Sequence, residues 1–262
     1  MDIFAHRGSR STHPENTLPA FYEAVRLGCE GLECDVHLSL DEQVIVMHDE
    51  QVDRTTNKEG LINFYTRMEL SQMDAGSWFY KQPKVKKQPN SKERIGVPTL
   101  IELLEALDEW NYRGLLNIEL KTTRHAYQGL EEKINEAVQA KEWPFKIVYS
   151  SFNPYSLIKM KRLDPSCQLA YLMFTLDPAS LYFARYFEKE AWHISYVGFV
   201  ELVQLASASE AFKEYLEQVE IRVWTTNLPE KIAYVFKNNG NAVITDYPER
   251  AQFIRMALGG GE

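Results

Sequence analysis

Two short stretches place acids inside otherwise apolar runs, the first of them a pair two residues apart. Side chains alternate across a strand, so positions i and i+2 share a face. In Gly31-Leu32-Glu33-Cys34-Asp35-Val36, the residues Leu32, Cys34 and Val36 form an apolar face, and Glu33 and Asp35 lie on the other. The pattern returns in Leu116-Asn117-Ile118-Glu119-Leu120-Lys121, where Asn117, Glu119 and Lys121 oppose the three aliphatic side chains. An inward acid is costly unless it is paired or bound to a metal. One such acid reads as a structural salt bridge, but two strands carrying three carboxylates read as a ligand set. With no ring of His or Cys, that set favours a hard divalent cation held through oxygen. Ca²⁺ or Mg²⁺ fits, with Mn²⁺ allowed, rather than zinc.

His6, in Ala5-His6-Arg7-Gly8, and His48, in Val46-Met47-His48-Asp49, each fall where a predicted strand meets a loop. A pair of imidazoles suits phosphodiester cleavage, because one removes a proton from the nucleophile while the other protonates the leaving alkoxide. A cation would neutralise charge on the phosphorus-bound oxygens. Arg7 and Lys121 are the natural phosphate clamps, one a fork of donors and the other a point charge. His13, His37, His125 and His193 read as structural or surface residues.

These residues need a frame. Apolar runs at 3–6, 31–36, 44–48, 115–121, 146–151, 168–172, 196–200, 221–224 and 242–246 predict strands. Helical patterns at 18–27, 100–109, 130–140, 154–162, 202–220, 229–238 and 248–257 separate most of them. Thr17 before Leu18-Pro19 predicts an N-cap with Pro in the first turn, and Gly28 closes that helix. If 44–48 is an added hairpin arm, eight strands remain, which makes a (β/α)8 barrel the expected fold, with active-site residues at the C-terminal ends of its strands. An open Rossmann-like sheet is the alternative, but no strand is followed by a GxGxxG turn. The rhythm breaks at 50–98, a polar stretch with a basic run at 81–87 and the aromatics Trp78, Phe79 and Tyr80. It is read as an insertion between the second and third barrel strands, either a decorated loop or a contributor to substrate binding. The expected organisation is one catalytic domain over 1–258 with a frayed tail at 259–262.

Composition sets limits. The 262 residues, 45% hydrophobic and 25% charged, are ordinary for a globular domain, and single barrels commonly run to about 250 residues. A net charge of −8 argues against nucleic acid as a partner. No apolar run approaches the ~20 residues of a membrane span. Three cysteines without CxxC spacing read as buried free thiols in a reducing compartment. The first motif follows the initiating Met so closely that no signal peptide is expected ahead of it, and a cytoplasmic location follows.

At the motif residues the chain resembles the glycerophosphodiester phosphodiesterase family. The resemblance begins at His6-Arg7-Gly8 and Pro14-Glu15-Asn16-Thr17. It continues through Glu33-Cys34-Asp35-Val36, Val46-Met47-His48-Asp49, Arg54-Thr55-Thr56 and Asn117-Ile118-Glu119-Leu120-Lys121, and it reaches Ser150-Ser151-Phe152, Trp224-Thr225-Thr226-Asn227 and Ile244-Thr245-Asp246-Tyr247-Pro248. It implies a (β/α)8 barrel that hydrolyses a small glycerophosphodiester to glycerol 3-phosphate and an alcohol. It further implies that His6 and His48 are the acid/base pair and that Glu33, Asp35 and Glu119 bind Ca²⁺ or Mg²⁺. In the implied mechanism, the glycerol 2-hydroxyl attacks phosphorus to give a cyclic phosphate that water opens. On the substrate side, Glu15 either orients Arg7 or touches the metal shell, while Asn16 and Thr17 cap the first helix. Phe152 and Trp224 form an apolar wall against the glycerol carbons or simply pack, and Asp246 shapes a turn. Thr226 stands where Val is more usual, and residues 192–203 match nothing in the family pattern. Two other readings are a phospholipase-type barrel that releases a cyclic phosphate from intact lipid, and a non-catalytic binding module. Retention of both histidines and all three acids argues against the module.

Overall fold

A computed structural model of the chain describes residues 1–83, 94–187 and 190–259. Nine strands form one sheet: β1 (Asp2–His6), β2 (Gly31–Leu38), β3 (Val44–Val46), β4 (Leu115–Leu120), β5 (Lys146–Ser151), β6 (Gln168–Met173), β7 (Ala191–Ser195), β8 (Ile221–Trp224) and β9 (Ala242–Thr245). Their order is β1-β9-β8-β7-β6-β5-β4-β2-β3, and β1 also pairs with β2, so the sheet closes on itself. Only β3 is antiparallel, hydrogen-bonded to the end of β2 as the expected hairpin arm. Without it, eight parallel strands make a (β/α)8 barrel.

Strand alternation decides what faces where. Leu32, Cys34 and Val36 of β2 and Leu116, Ile118 and Leu120 of β4 pack outward into the large cluster shared with the helices. The inward positions hold a separate floor, with Phe4, Ala242 and Ile244 on one side and Val148, Ala170 and Ala191 on the other. Small residues are needed around the Phe4 ring. At Gly31 an added Cβ would fall 1.1 Å from Phe4 Cδ1, so the ring occupies the place of the missing side chain.

Helices fall close to the expected positions: Leu18–Arg26, Leu100–Glu109, Leu130–Gln139, Pro154–Leu163, Pro229–Lys237 and Pro248–Gly259. The expected strand at 196–200 is corrected. The chain is helical over Tyr196–Ala208, and the strand is Ala191–Ser195, one element earlier. Ser195 ends the strand and caps the helix, its hydroxyl accepting from the Gly198 amide at 3.1 Å. The helix expected at 202–220 divides into this one and Glu210–Leu216, with Ser209 capping the second through the Phe212 amide. Helix Pro178–Tyr186, capped by Asp177, has no counterpart in the periodicity reading.

The segment after β3 builds a small core of its own from Ile45, Met47, Val52, Ile62, Leu70, Met73, Ala75 and Val97. It contains the short helices Arg67–Ser71 and Ser77–Tyr80 and lies between the second and third barrel strands. The basic run at 81–87 continues past residue 83, outside the described residues, as do the last three residues of the expected tail.

Candidate active site

The loop after β1 is tightly constrained. Arg7 and Asn16 adopt left-handed backbone (φ 57° and 54°), and Gly8 (φ 80°) approaches helix Leu18–Arg26 so closely that a Cβ would lie 2.6 Å from the Ala20 carbonyl carbon. The result aims the Arg7 amide at Glu33 Oε2, 2.9 Å away, with Arg7 Nε 3.3 Å from Asp35 Oδ2. Asn16 is not the helix cap it was read as; its side-chain amide donates to Asp35 Oδ2 at 2.8 Å. Thr17 does sit at the N-cap position, but its hydroxyl donates to the Pro14 carbonyl at 2.6 Å instead of capping an amide. The competing local bond removes the expected cap.

Glu33, Asp35 and Glu119 meet as alternation predicts. One oxygen from each lies within 4.8 Å of the others. Among the described residues, buried Glu33 Oε1 and Asp35 Oδ1 make no hydrogen bond, and only Lys121, 3.5 Å away, faces the latter, which leaves both oxygens able to bind a cation. Burial, then Asp35 and Glu119, pushes Glu33 well above the carboxylate range. Burial acts the same way on Asp35, but Arg7 and Lys121 outweigh it and hold Asp35 down. Lys121 Nζ stands 2.8 Å from Glu119 and 3.5 Å from Asp35. The donor set fits a hard divalent ion.

Each of the two singled-out histidines has a carboxylate on Nδ1. His6 Nδ1 lies 2.6 Å from Asp246 Oδ1, and His48 Nδ1 lies 2.6 Å from Asp49 Oδ1. His6 Nε2 is 4.0 Å from Glu33 Oε2. Burial and then Arg7 lower the His6 pKa against the opposing pull of Asp246, so its imidazole stays neutral and able to accept a proton. The turn role read for Asp246 is thus incomplete, since its carboxylate also takes Arg10 at 3.1 Å and the Asn227 amide at 2.8 Å.

Behind the clamp, Glu15 is 1% exposed and both its oxygens are taken by arginines. Arg7 donates at 2.8 Å, Arg10 stands at 2.9 Å, and Arg54 binds in two-pronged fashion at 2.7 and 2.9 Å. Arg54 also holds Asp49 at 2.6 Å. Of the two readings of Glu15, the geometry favours orientation of Arg7. Glu15 lies behind Arg7, outside the lining of the main cleft.

That cleft, about 760 Å³ at the C-terminal end of the barrel, is lined by His6, Arg7, Glu33, His48, Glu119, Lys121, Phe152 and Trp224 among others. Phe152 and Trp224 meet edge to face at 5.4 Å. Phe174, absent from the sequence reading, stacks on Phe152 at 4.7 Å. Arg10, Asp49 and Phe174 were missed because an isolated charge or a ring at a strand end has no pattern of its own. Of the histidines read as structural, His37 behaves so: its Nε2 donates to the His48 carbonyl at 3.0 Å, and Tyr127 holds Nδ1 at 2.9 Å. His193 differs, because it is buried yet forms part of the cleft wall.

Fold and site together define a (β/α)8-barrel enzyme whose C-terminal mouth carries a carboxylate triad between two Asp–His pairs. Residues 6–250 match the Glycerophosphoryl diester phosphodiesterase family. The chain is 32% identical over 256 residues to a glycerophosphodiester phosphodiesterase of Bacillus altitudinis, covering 98% of each chain. It is 34% identical over 248 residues, 94% of each chain, to one from Caldanaerobacter subterraneus subsp. tengcongensis. Among solved structures it superposes with TM-score 0.81, at 30% identity and covering 97% and 96% of the two chains, on an Oleispira antarctica phosphodiesterase in complex with the product sn-glycerol-3-phosphate. The chain belongs to the glycerophosphoryl diester phosphodiesterase family, and it is therefore a phosphoric diester hydrolase. Among the described residues, no helix is long and apolar enough to cross a membrane.

Proposed function

We propose that the protein hydrolyses small glycerophosphodiesters to glycerol 3-phosphate and an alcohol, with His6 and His48 as the acid/base pair. Glu33, Asp35 and Glu119 hold one divalent cation, Ca²⁺ or Mg²⁺, and Mn²⁺ suits the same oxygens. The observation that carries this reading is the carboxylate triad within 4.8 Å, with a buried oxygen on Glu33 and one on Asp35 that make no hydrogen bond among the described residues, beside the cleft that holds the two histidines. The product complex of the Oleispira relative supports the substrate class.

When bound, the cation offsets negative charge on the phosphorus-bound oxygens. Arg7, fixed by Glu15, and Lys121 hold those oxygens, and Phe152 and Trp224 cover the glycerol carbons. One imidazole takes the proton of the glycerol 2-hydroxyl at Nε2 as that oxygen bonds to phosphorus. The other imidazole gives a proton to the departing alkoxide as its phosphorus–oxygen bond breaks. The two then exchange roles: the second imidazole takes a proton from water, which opens the cyclic phosphate, and the first returns its proton to the 2-oxygen. Asp246 and Asp49, on Nδ1, stabilise whichever ring is charged. Residues 1–258 act as one catalytic unit, and the three buried thiols suit a cytoplasmic setting.

EDTA abolishes turnover of glycerophosphocholine under this reading, and Ca²⁺ or Mg²⁺ restores it. His6→Ala and His48→Ala each lower kcat by roughly 10²–10⁴-fold with the fold intact by circular dichroism. Full activity in excess chelator removes the metal role, and wild-type rates in either variant remove that histidine.

A further inference from the structure

The cleft has one wall that this mechanism does not use. On β7, Trp192 and Ile194 point outward into the helix-side cluster, and Ala191 packs in the barrel floor. His193 shares the inward face. Its accessible surface is 0%, yet it lines the cleft beside Leu172, Trp224 and Ile244. In the ring of eight parallel strands, β7 lies four strands from β2 in either direction. His193 therefore faces Glu33 and Asp35 across the barrel.

Arg222, its neighbour on β8, settles the state of the ring. Arg222 Nη1 lies 3.0 Å from His193 Nε2, and a guanidinium can only donate, so Nε2 accepts. The neutral ring then carries its proton on Nδ1. Arg222 has little freedom to move: it is 3% exposed, paired with Glu220 at 2.8 Å and seated 5.1 Å from the centre of the Phe4 ring. Trp224 Nε1 donates to the His193 carbonyl at 2.9 Å, which fixes the backbone as well. Among the described residues, Nδ1 has no hydrogen-bond partner. Burial first and Arg222 second keep the imidazole uncharged, so His193 is a donor and not a third acid or base. A buried N–H left unpaired costs about 1–3 kcal/mol, so a rigidly held one in a binding cleft calls for an oxygen from the ligand.

We infer that His193 is a specificity residue whose Nδ1–H donates to a hydroxyl of the glycerol half of the substrate. This rests on the proposed function. Phosphate oxygens are served by the cations Arg7 and Lys121, whereas a neutral donor beside Leu172, Trp224 and Ile244 matches a neutral hydroxyl on a carbon chain. The alcohol is the half that departs, and it must leave through the open mouth. His193 stands in mid-strand on β7, one inward position above Ala191 of the floor, and so faces the half that stays. Asn117 also lines the cleft, and its buried Oδ1, without a hydrogen-bond partner among the described residues, provides an acceptor for the same hydroxyls.

Titration calorimetry on Mg²⁺-loaded protein tests this with sn-glycerol 3-phosphate and inorganic phosphate as separate ligands. His193→Leu is expected to weaken sn-glycerol 3-phosphate about tenfold and inorganic phosphate less than twofold. His193→Gln, which can accept from Arg222 and still donate into the cleft, recovers most of the loss. Equal weakening of both ligands makes His193 a structural support and overturns the inference, as does unchanged affinity for sn-glycerol 3-phosphate. Should the Leu variant not fold, ¹⁵N spectra of the wild-type histidines decide. A proton on Nδ1 whose resonance moves with sn-glycerol 3-phosphate but not with phosphate supports the assignment; a proton on Nε2, or no selective shift, rejects it. Wild-type hydrolysis of glycerophosphodiesters is scored separately. If that fails, the proposed function falls; if it succeeds while His193→Leu keeps full product affinity, only the present inference falls.

Discussion

Glu15 joins two Asp–His pairs that lie far apart in the chain. The path runs from His6 through Asp246 and Arg10 to Glu15, and onward through Arg54 and Asp49 to His48. Burial alone would raise the Glu15 pKa. The Arg54 hydrogen bonds and the charges of Arg7, Arg10 and Arg54 reverse that and lower it from 4.5 to about 2. A folded-state value below the unfolded one means the unfolded chain binds the proton more readily. The resulting stabilisation, on the order of 3 kcal/mol, is present above about pH 4.5 and is lost as pH falls towards 2. Glu15→Gln is therefore expected to lower stability at pH 7 and to flatten the acid limb between pH 4.5 and 2. It should also cut kcat by about tenfold or more, because Arg7, Arg10 and Arg54 lose their common anchor. Denaturant melts across that pH range check the first part; an acid limb unchanged from wild type would show that Glu15 is not the anchor. Glu119→Gln behaves differently. Its loss is expected in cation affinity by calorimetry, with the metal-free melting temperature nearly unchanged; a sharp fall in metal-free stability would make Glu119 chiefly a structural partner of Lys121.

Among the elements, β1 and β2 carry the heaviest constraint, since their pairing closes the barrel and sets His6 beside Glu33 in register. Phe4 fills the space over Gly31, so Gly31→Ala forces a backbone or ring displacement at that seam. A loss of about 1–3 kcal/mol is expected, as for other overpacked cores. In a double-mutant cycle, Phe4→Leu should recover part of it, and strict additivity would refute the contact. The corrected β7 boundary has a comparable cause. Tyr196, Val197, Phe199 and Val200 have strand-forming side chains, yet Ser195 caps a helix there and buries Phe199 and Leu202 on one face. Ser195→Ala should cost about 1 kcal/mol in urea melts; no change would mean the cap contributes nothing.

For the molecule as a whole, the three cysteines report on integrity. Cys29, Cys34 and Cys167 are all buried and unpaired. Burial raises Cys29 to about 12 and Cys167 to about 11, and drives Cys34 well above its usual value. Ellman's reagent is expected to find no rapidly reacting thiol in the native protein and three after denaturation; a fast native thiol would show that the barrel opens locally.

The sequence by itself determined the strand–helix repeat, the inward face of each acidic strand and the two histidines at strand ends. These are periodic or local properties, and side-chain alternation obeys them whatever the partners. Hairpin β3 was legible only from the count, since eight strands remain for a barrel without it. The tertiary structure alone decided which carboxylate serves which histidine. Asp49 is adjacent to His48, but Asp246 reaches His6 across 240 positions, through a β1–β9 pairing that exists only once the barrel closes. Closure also gathered Arg7, Arg10 and Arg54 on Glu15, brought Phe174 against Phe152, and put His193, read as a structural or surface residue, in a cleft wall facing the acids. Local pattern specifies a face; the register of the whole ring specifies what that face meets.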